Sequence, residues 1–180
     1  MDAAKEQFTE LYERHHAEVW RYVARRIVAS DVGDVVAEVF LVAWRRLADV
    51  PAGSPLPWLY GVARLVLANE ARGRRRWQEL TVRVAAEAGH VIVMDHADAV
   101  VSQRDAAVAF NRLSPGDREI LRLVAWEWLT PVEAAAVLGQ SRATFAMRLM
   151  RARRRLRRHL GMASDAAGRP ATPSMSNRNG

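Results

Sequence analysis

The sequence contains no cysteine among its 180 residues. Disulfide bridges, thiolate zinc sites and cysteine nucleophiles all need that side chain, so this protein builds none of them. Its five histidines do not fall into the spacing of a metal site or a catalytic pair, and no glycine-rich phosphate loop is present. We therefore expect no catalytic residue, no metal and no cofactor, which makes an enzyme the least favoured class of function.

Long apolar runs are also missing. The amino-terminal segment carries a charge every few residues. No later stretch approaches the roughly 18 consecutive apolar residues of a membrane span. We expect no signal peptide and no membrane insertion, and hence a cytoplasmic protein. Hydrophobic residues still make up 50% of the chain, which is enough to bury one core or two small ones.

Basic residues outnumber acidic residues by 27 to 20, and the excess is concentrated in two segments. Residues 64–76 hold five arginines and one glutamate, while residues 142–160 hold eight arginines and no acidic residue. The remainder of the chain is slightly acidic. Two separate basic segments indicate two contacts with a polyanion, although each segment alone is also compatible with a solvated helix face or a membrane-surface patch.

Apolar residues recur at three- and four-residue intervals through most of the chain, which predicts an all-α fold. In the first half, the predicted helices span residues 5–29, 33–48 and 57–75. The interval from Asp49 to Pro57 contains three prolines and is expected to form a loop. Residues 77–100 lose the helical pattern and are expected to belong to a linker.

A second helical block begins near Ser102. Ser114 followed by Pro115 predicts the start of one helix, because serine caps exposed amide groups and proline suits the first helical position. Thr130 with Glu133 three residues later predicts a capping box at the start of another helix. These signals divide the second half into several short helices.

Residues 131–153 have the pattern of a helix-turn-helix: a short helix, a turn at Gly139, and a longer basic helix capped by Ser141 that runs to about Leu160. At about 100° per residue, one side of the long helix is apolar and expected to be buried, namely Phe145, Leu149, Ala152 and Leu156. The opposite side holds the candidates for contact with a DNA groove: Ala143, Met147, Met150, Arg151, Arg154 and Arg158. Between the two sides lie expected backbone anchors or ion-pair partners: Arg142, Arg148, Arg153 and Arg155. A helical hairpin inside an all-helical core is the alternative.

The helix predicted over residues 33–48 has a mainly charged side opposite its apolar side. Its members are Asp34, Glu38, Leu41 and Arg45. A leucine among charged residues is typical of a helix that docks onto another protein, although an ordinary solvent-facing side is the commoner explanation. The predicted helix after the proline-rich loop ends in four arginines, and an aromatic residue with arginines beside a loop fits single-stranded DNA. Three tryptophans are nevertheless expected in the core: Trp20, Trp44 and Trp58.

Three segments in this order resemble an extracytoplasmic-function sigma factor, a member of the sigma-70 family of RNA polymerase subunits. The first, DVGDVVAEVFLVAWRRL, is similar to the family's polymerase-binding helix, and the second, PWLYGVARLVLANEARGRRR, to its promoter-melting helix. The third, LSPGDREILRLVAWEWLTPVEAAAVLGQSRATFAMRLMRARRRLRRHL, is similar to its reader of the upstream promoter element. The resemblance covers about residues 5–160.

The resemblance implies two small helical domains joined by a flexible linker, the second one a helix-turn-helix. Residues 1–76 would bind core polymerase and recognise and melt the −10 element, and residues 102–160 would read the −35 element. Residues 77–101 would form the linker. Residues 161–180, which are small and polar, are expected to form a disordered tail.

The resemblance also assigns residues to partners. Contact with the clamp helices of the largest polymerase subunit falls to Asp34, Glu38, Leu41 and Arg45. Contact with −10 DNA falls to Ala52, Gly53, Ser54, Trp58, Arg64, Arg72, Arg74, Arg75 and Arg76. Contact with −35 DNA falls to Arg142, Ala143, Thr144, Ala146, Met147, Arg148, Met150, Arg151 and Arg154. The family also implies an anti-sigma factor as a further partner.

Two other classes remain to be distinguished. A stand-alone helix-turn-helix regulator that binds duplex DNA accounts for residues 114–160, but not for the first basic segment or the Asp34 side. A helical protein-interaction module predicts no salt-sensitive association with DNA. A sigma factor that binds core RNA polymerase and directs promoter-specific initiation accounts for all of these features.

Overall fold

The computed structural model describes the backbone of residues 2–84 and 101–167 and the side chains of residues 3–74 and 106–161. The described residues form helices and connecting turns without a β-strand, which confirms the all-α prediction. The helices are α1 (Asp2–Ala24), α2 (Val32–Arg45), α3 (Pro55–Val84), α4 (Val101–Asn111), α5 (Pro115–Ala125), α6 (Pro131–Val137) and α7 (Arg142–Ala167), with 3-10 turns at Ala29–Asp31 and Leu47–Asp49. The predicted linker, residues 77–101, is wrong at both ends, because residues 77–84 belong to α3 and Val101 begins α4. Residues 161–167 of the predicted tail likewise belong to α7. The rest of both segments, residues 85–100 and 168–180, lies outside the described residues.

Helix α1 ends at Ala24, five residues before its predicted end. The amide of Arg26 donates to the carbonyl of Val23 at 2.8 Å. Such a bond, three residues back instead of four, tightens a last turn and takes the chain out of the α-helix. The two arginines that follow Ala24 therefore belong to a turn and not to α1.

Helix α3 differs from the prediction at both ends. It begins at Pro55 instead of Pro57, so the loop is shorter than the predicted interval. Both prolines fit the first helical turn, where no amide donor is required. At the other end α3 continues to Val84, past its predicted end at residue 75, because residues 74–84 contain neither proline nor glycine to stop it.

The first three helices pack together around fully buried side chains. Those with almost no exposure include Val19, Tyr22 and Val23 on α1, Val35 and Val39 on α2, and Leu59 and Ala63 on α3. Burying an aliphatic side chain of this size stabilises the fold by about 1.5 to 3 kcal/mol. The apolar periodicity therefore predicts these helices, but two residues that it would place inward, Tyr12 and Leu65, are 41% and 55% exposed.

The second half packs α4 and α5 against α7. Its buried residues include Ala109, Ile120, Leu123 and Phe145, each with no measurable exposure. Leu123 therefore lies on the inward side of α5, whereas Ala125 at the end of that helix is exposed. Helix α7 runs seven residues beyond the expected end at Leu160.

The predicted helix starts and stops of this half are confirmed. Ser114 accepts a hydrogen bond from the Asp117 amide at 3.2 Å, and Thr130 and Glu133 form the reciprocal capping box. Gly139 has a φ of 62°, the left-handed value that favours glycine at a helix end. These local signals determine where α5 and α6 begin and where α6 ends.

The two halves also pack directly on each other, which the sequence did not predict. Helix α3 lies against α6, and the end of α1 meets α5 and the turn before α6. Buried side chains from both halves belong to one contiguous cluster. Within the described ranges, no helix has the length and apolar character to cross a membrane.

Candidate nucleic-acid and polymerase interfaces

The helix-turn-helix packs against the rest of the second half through the predicted apolar side of α7. Phe145 and Ala152 have no exposure, Leu149 is buried, and Leu156 is half-buried. At the start of α7, the Thr144 amide donates to the Ser141 hydroxyl at 3.1 Å, which is the predicted cap. The opposite side of the helix is therefore fixed in an outward orientation.

The predicted −35 contacts lie on this outward part of α7, with one exception. The exposed members are Arg142, Ala143, Thr144, Ala146, Met147, Met150, Arg151 and Arg154. Met147 and Met150 are 49% and 61% exposed, which is unusual for methionine and leaves both free to touch a partner. Arg148 is instead half-buried, beside the start of α5 near Gly116.

Arg155 fulfils the predicted role of an ion-pair partner. Its guanidinium donates to the Asp117 carboxylate at 2.7 Å, and the Asp117 side chain is 9% exposed. Because Asp117 lies in the first turn of α5, the pair ties the reading helix to its neighbour. The orientation of α7 thus depends on a charge as well as on the apolar side.

All four predicted polymerase contacts lie on the exposed side of α2. Asp34, Glu38 and Arg45 are exposed, and Leu41 is 46% exposed. Trp44 on the same helix is 45% exposed, and tryptophan is among the residues that most often concentrate binding energy at protein interfaces. Within the described residues, these four side chains make no hydrogen bond or ion pair with the rest of the chain.

Trp20 and Trp44 were wrongly expected in the core, since they are 42% and 45% exposed. The buried ring at the seam of α1 and α2 is instead Phe40, which is 3% exposed. Phe40 lies in the middle, with the Tyr12 ring 4.7 Å away between centroids. The Phe8 and Trp44 centroids are 5.1 Å apart, and the partly exposed Trp44 ring lies at the rim of this seam. The indole groups are too large for full burial between two adjacent helices.

The predicted −10 contacts are spread along the loop and α3. Ala52, Gly53 and Ser54 are exposed in the loop, while Trp58 is half-buried with the Arg46 guanidinium 5.9 Å above its ring. Further along, Arg72 hydrogen-bonds Asn69, and Arg74 pairs with Asp31 at 2.6 Å. Arg75 and Arg76 lie within α3, but their side chains are outside the described residues.

Arg64 is placed differently from the other predicted −10 contacts. It is half-buried, and its Nε donates to the carbonyl of Val137 in α6 at 3.0 Å. A residue assigned to DNA by the family resemblance is therefore engaged with the other half of the chain.

A cluster of five charged and aromatic residues, which we call the interdomain cluster, also joins the two halves of the chain. Its members are Tyr22, Arg25, Arg26, Glu119 and Glu127. Arg26 donates to both carboxylate oxygens of Glu119 at 3.0 Å, from Nε and Nη2, and to Glu127 at 3.0 Å from Nη1. Arg25 donates to the second oxygen of Glu127 at 2.9 Å, and the Tyr22 hydroxyl donates to Glu119 at 3.1 Å.

The interdomain cluster is strongly shielded from water. The side chains of Arg26 and Glu127 are only 7% and 2% exposed. Burial, followed by the charge of Glu119, raises the pKa of the Tyr22 phenol, while Arg26 acts against it. The Arg26 guanidinium also stacks 3.4 Å above the Tyr22 ring. Pairing of this kind is what allows a buried arginine to remain charged.

Comparison with known proteins agrees with this architecture. Sigma-70 region 2 matches residues 11–77, and Sigma-70 region 4 matches residues 104–156. The ECF RNA polymerase sigma factor SigK of Mycobacterium sp. (strain KMS) is 29% identical over 164 residues, covering 87% of this chain and 84% of SigK. The chain belongs to the extracytoplasmic-function sigma factors of the sigma-70 family. A stand-alone helix-turn-helix regulator is accordingly not favoured.

Two further proteins are similar to this sigma factor. The probable RNA polymerase sigma factor RfaY of Xanthomonas campestris pv. campestris is 32% identical over 161 residues, covering 85% of this chain but 39% of RfaY. CnrH, whose structure was solved in complex with the cytosolic domain of CnrY, is 28% identical with a TM-score of 0.58. That match covers 86% of this chain and 88% of CnrH.

Sequence reasoning missed the interdomain cluster of this sigma factor entirely. Arg25 and Arg26 were counted within a helix, and Glu119 and Glu127 only as part of the acidic remainder. The paired residues are separated by 93 to 102 positions, so no spacing pattern connects them. The one local signal in the sequence is that Glu127 stands between two tryptophans, Trp126 and Trp128, where a charge would need a partner if it were buried.

Proposed function

We propose that this sigma factor binds core RNA polymerase and directs promoter-specific initiation of transcription in the cytoplasm as a non-catalytic subunit. The exposed side of α2 contacts the polymerase clamp helices, α7 reads the −35 element, and α3 with its preceding loop recognises and opens the −10 element. Residues 1–76 form the domain that binds polymerase and the −10 element, and residues 102–160 form the domain that reads the −35 element. The observation that carries the proposal is the orientation of α7. Its apolar side is buried and Ser141 caps its start, so the opposite side faces outward. Residues 142–160 of this helix include arginines and no acidic residue.

The charges on the α7 surface and on the α2 side match the partner proposed for each. A DNA-binding protein gains affinity from each arginine that neutralises a phosphate, and residues 142–160 hold eight arginines without an acidic residue. The α2 side instead presents Asp34 and Glu38 beside Leu41, which suits a protein and repels DNA. One chain therefore carries both kinds of surface, as a subunit that bridges polymerase and promoter requires.

The central experiment adds the purified chain to core polymerase and maps transcripts from genomic fragments. We expect transcripts that start at defined sites and need both components. A stand-alone regulator would instead bind duplex DNA tightly without polymerase, and the absence of any site-specific initiation would refute the proposal.

Two sets of variants assign the surfaces. Asp34→Lys with Glu38→Lys should weaken polymerase binding, whereas the control Glu10→Lys with Glu13→Lys makes the same charge change on exposed α1 residues and should not. Arg151→Ala should reduce the preference for matched over mismatched −35 sites by about 1 to 3 kcal/mol, the value of a bidentate base contact. The control Arg157→Ala, on the same helix, should weaken binding to matched and mismatched −35 sites equally.

We further propose a protein inhibitor as a partner. The family resemblance implies an anti-sigma factor, and CnrH was solved with a second protein bound. The exposed residues Leu41 and Trp44 offer the apolar surface that such a partner would need.

A further inference from the structure

The first turns of α7 carry apolar side chains on their outward side. Ala143, Met147 and Met150 are exposed there, and the two methionines are 49% and 61% exposed. Residues three and four positions apart are neighbours on a helix surface, so the three side chains form one group, which we call the methionine patch. An apolar group of this kind on an exposed surface marks a site of interaction.

The charges around the methionine patch favour duplex DNA as its partner. Arg142, Arg151 and Arg154 are exposed beside the patch, and residues 142–160 contain no acidic residue. Among the described side chains, none of these three arginines forms an ion pair. Arginines of this kind bind phosphates and fix the register of a protein on the duplex. The methionine patch therefore lies where base edges would face the helix.

The chemistry of the methionine patch limits which base it can recognise. Alanine has no polar side-chain atom, and the methionine sulfur is only a weak acceptor. The patch therefore lacks the paired donors that read guanine and the amide that reads adenine. Thymine alone presents an apolar substituent in the major groove, its C5 methyl group. A flexible, polarisable methionine side chain can pack closely against such a group.

The length of the methionine patch matches a short run of base pairs. From Ala143 to Met150 the α7 axis advances about 10 Å, at 1.5 Å per residue. Successive base pairs are about 3.4 Å apart. A helix that lies along the groove therefore brings the patch over about three successive base pairs.

We propose that the methionine patch reads thymine methyl groups within the −35 element. This inference rests on the proposed function, in which α7 enters the −35 major groove, and adds the base that is selected there. Contact removes the methyl group and the Met147 or Met150 side chain from water. Each contacted methyl group should strengthen binding about fourfold, the value of one buried CH₂ group.

The test uses promoter duplexes and the holoenzyme assembled from the full chain and core polymerase. A promoter found by transcript mapping is randomised across its −35 segment, and the duplexes that the holoenzyme binds are sequenced. We expect thymine, in one strand or the other, at one or more of the selected positions. Deoxyuridine then replaces each selected thymine singly, which removes only the C5 methyl group and keeps the hydrogen-bonding groups of the base.

Two variants connect the methyl groups to the methionines. Met147→Ala and Met150→Ala shorten exposed side chains to the best helix former, so both variants should fold. The wild type should bind about fourfold less tightly when deoxyuridine replaces a contacted thymine. For the thymine that each methionine contacts, the corresponding variant should bind the two duplexes equally. The control Leu160→Ala shortens a 37% exposed side chain about 20 Å further along α7 and should keep the full fourfold difference.

Three results would overturn the thymine inference while leaving the proposed function intact. The selected −35 segments could lack thymine, or deoxyuridine duplexes could bind the wild type as tightly as thymine duplexes. The methionine variants could also lose the same affinity for both duplexes, which would assign Met147 and Met150 to packing against the sugar-phosphate backbone. Failure of the proposed function itself would look different, because the holoenzyme would then start no transcripts at defined sites and select no −35 segment.

Discussion

Trp128 combines a backbone conformation and a side chain that do not suit each other. Its φ is 56°, in the left-handed region, and its side chain is 85% exposed. Left-handed backbone costs a residue with a Cβ about 1 to 2 kcal/mol, and an exposed ring recovers little of this by packing. Gly139 occupies the same region, with a φ of 62°, at no such cost.

We therefore predict that Trp128→Gly raises the free energy of unfolding by about 0.5 to 1 kcal/mol. Removing the backbone strain stabilises the folded state by more than the greater conformational entropy of glycine stabilises the unfolded state. The matched change Gly139→Ala should lower the same quantity by about 1 kcal/mol. Urea unfolding measures both, and a loss of stability in Trp128→Gly would show that the exposed indole makes contacts worth more than the strain.

At the scale of a single element, α6 is the helix that depends most on its ends. It has seven residues, far fewer than an isolated helix needs to be stable in water. Its start is held by the capping box, in which the Thr130 hydroxyl accepts from the Glu133 amide and Glu133 accepts from the Thr130 amide at 2.8 Å. Its end relies on Gly139, and its buried residues Ala134 and Val137 attach it to the rest of the fold.

Thr130→Ala should consequently lower the free energy of unfolding by about 1 kcal/mol, the usual value of a lost cap. Affinity for −35 duplex should fall as well, because α6 positions the start of α7. Thr9→Ala is the control, since Thr9 lies on the exposed surface within α1 and its hydroxyl bonds only the Lys5 carbonyl. Equal stability of the two variants would mean that packing alone positions α6.

At the scale of the whole molecule, the interdomain cluster couples two helical units that each have buried residues of their own. Removing one partner from a buried ion pair costs about 3 to 5 kcal/mol, because the other charge remains in a low-dielectric site. In this protein the two units can separate, which exposes Arg26 to water and so avoids the cost of a buried unpaired charge.

We predict that the wild-type chain unfolds thermally in one transition and that Glu119→Gln plus Glu127→Gln unfolds in two. Loss of the coupling lets each unit melt at its own temperature. Calorimetry measures the number of transitions, and Glu10→Gln plus Glu13→Gln should keep one. Two transitions in the wild type would mean that the packed arrangement contributes little to stability.

The sequence by itself determined the features that depend on near neighbours. Helical periodicity, the caps at Ser114, Thr130 and Ser141, and the turn at Gly139 each involve residues within one or two turns of each other. The buried and exposed sides of α7 follow from the same periodicity. The caps, the glycine turn and the two sides of α7 agree with the structure because the interactions concerned are local in the chain, whereas the ends of α1, α3 and α7 differ from the periodic pattern.

Only the tertiary structure decided which distant surfaces meet. Arg26 finds Glu119, and Arg64 finds Val137, across separations of 93 and 73 residues that no local pattern encodes. Packing also decided that Trp44 lies at a rim and not in the core. The physical reason is the same in each case: which charges and rings are buried depends on how preformed helices dock, and docking is a property of whole surfaces instead of neighbouring residues.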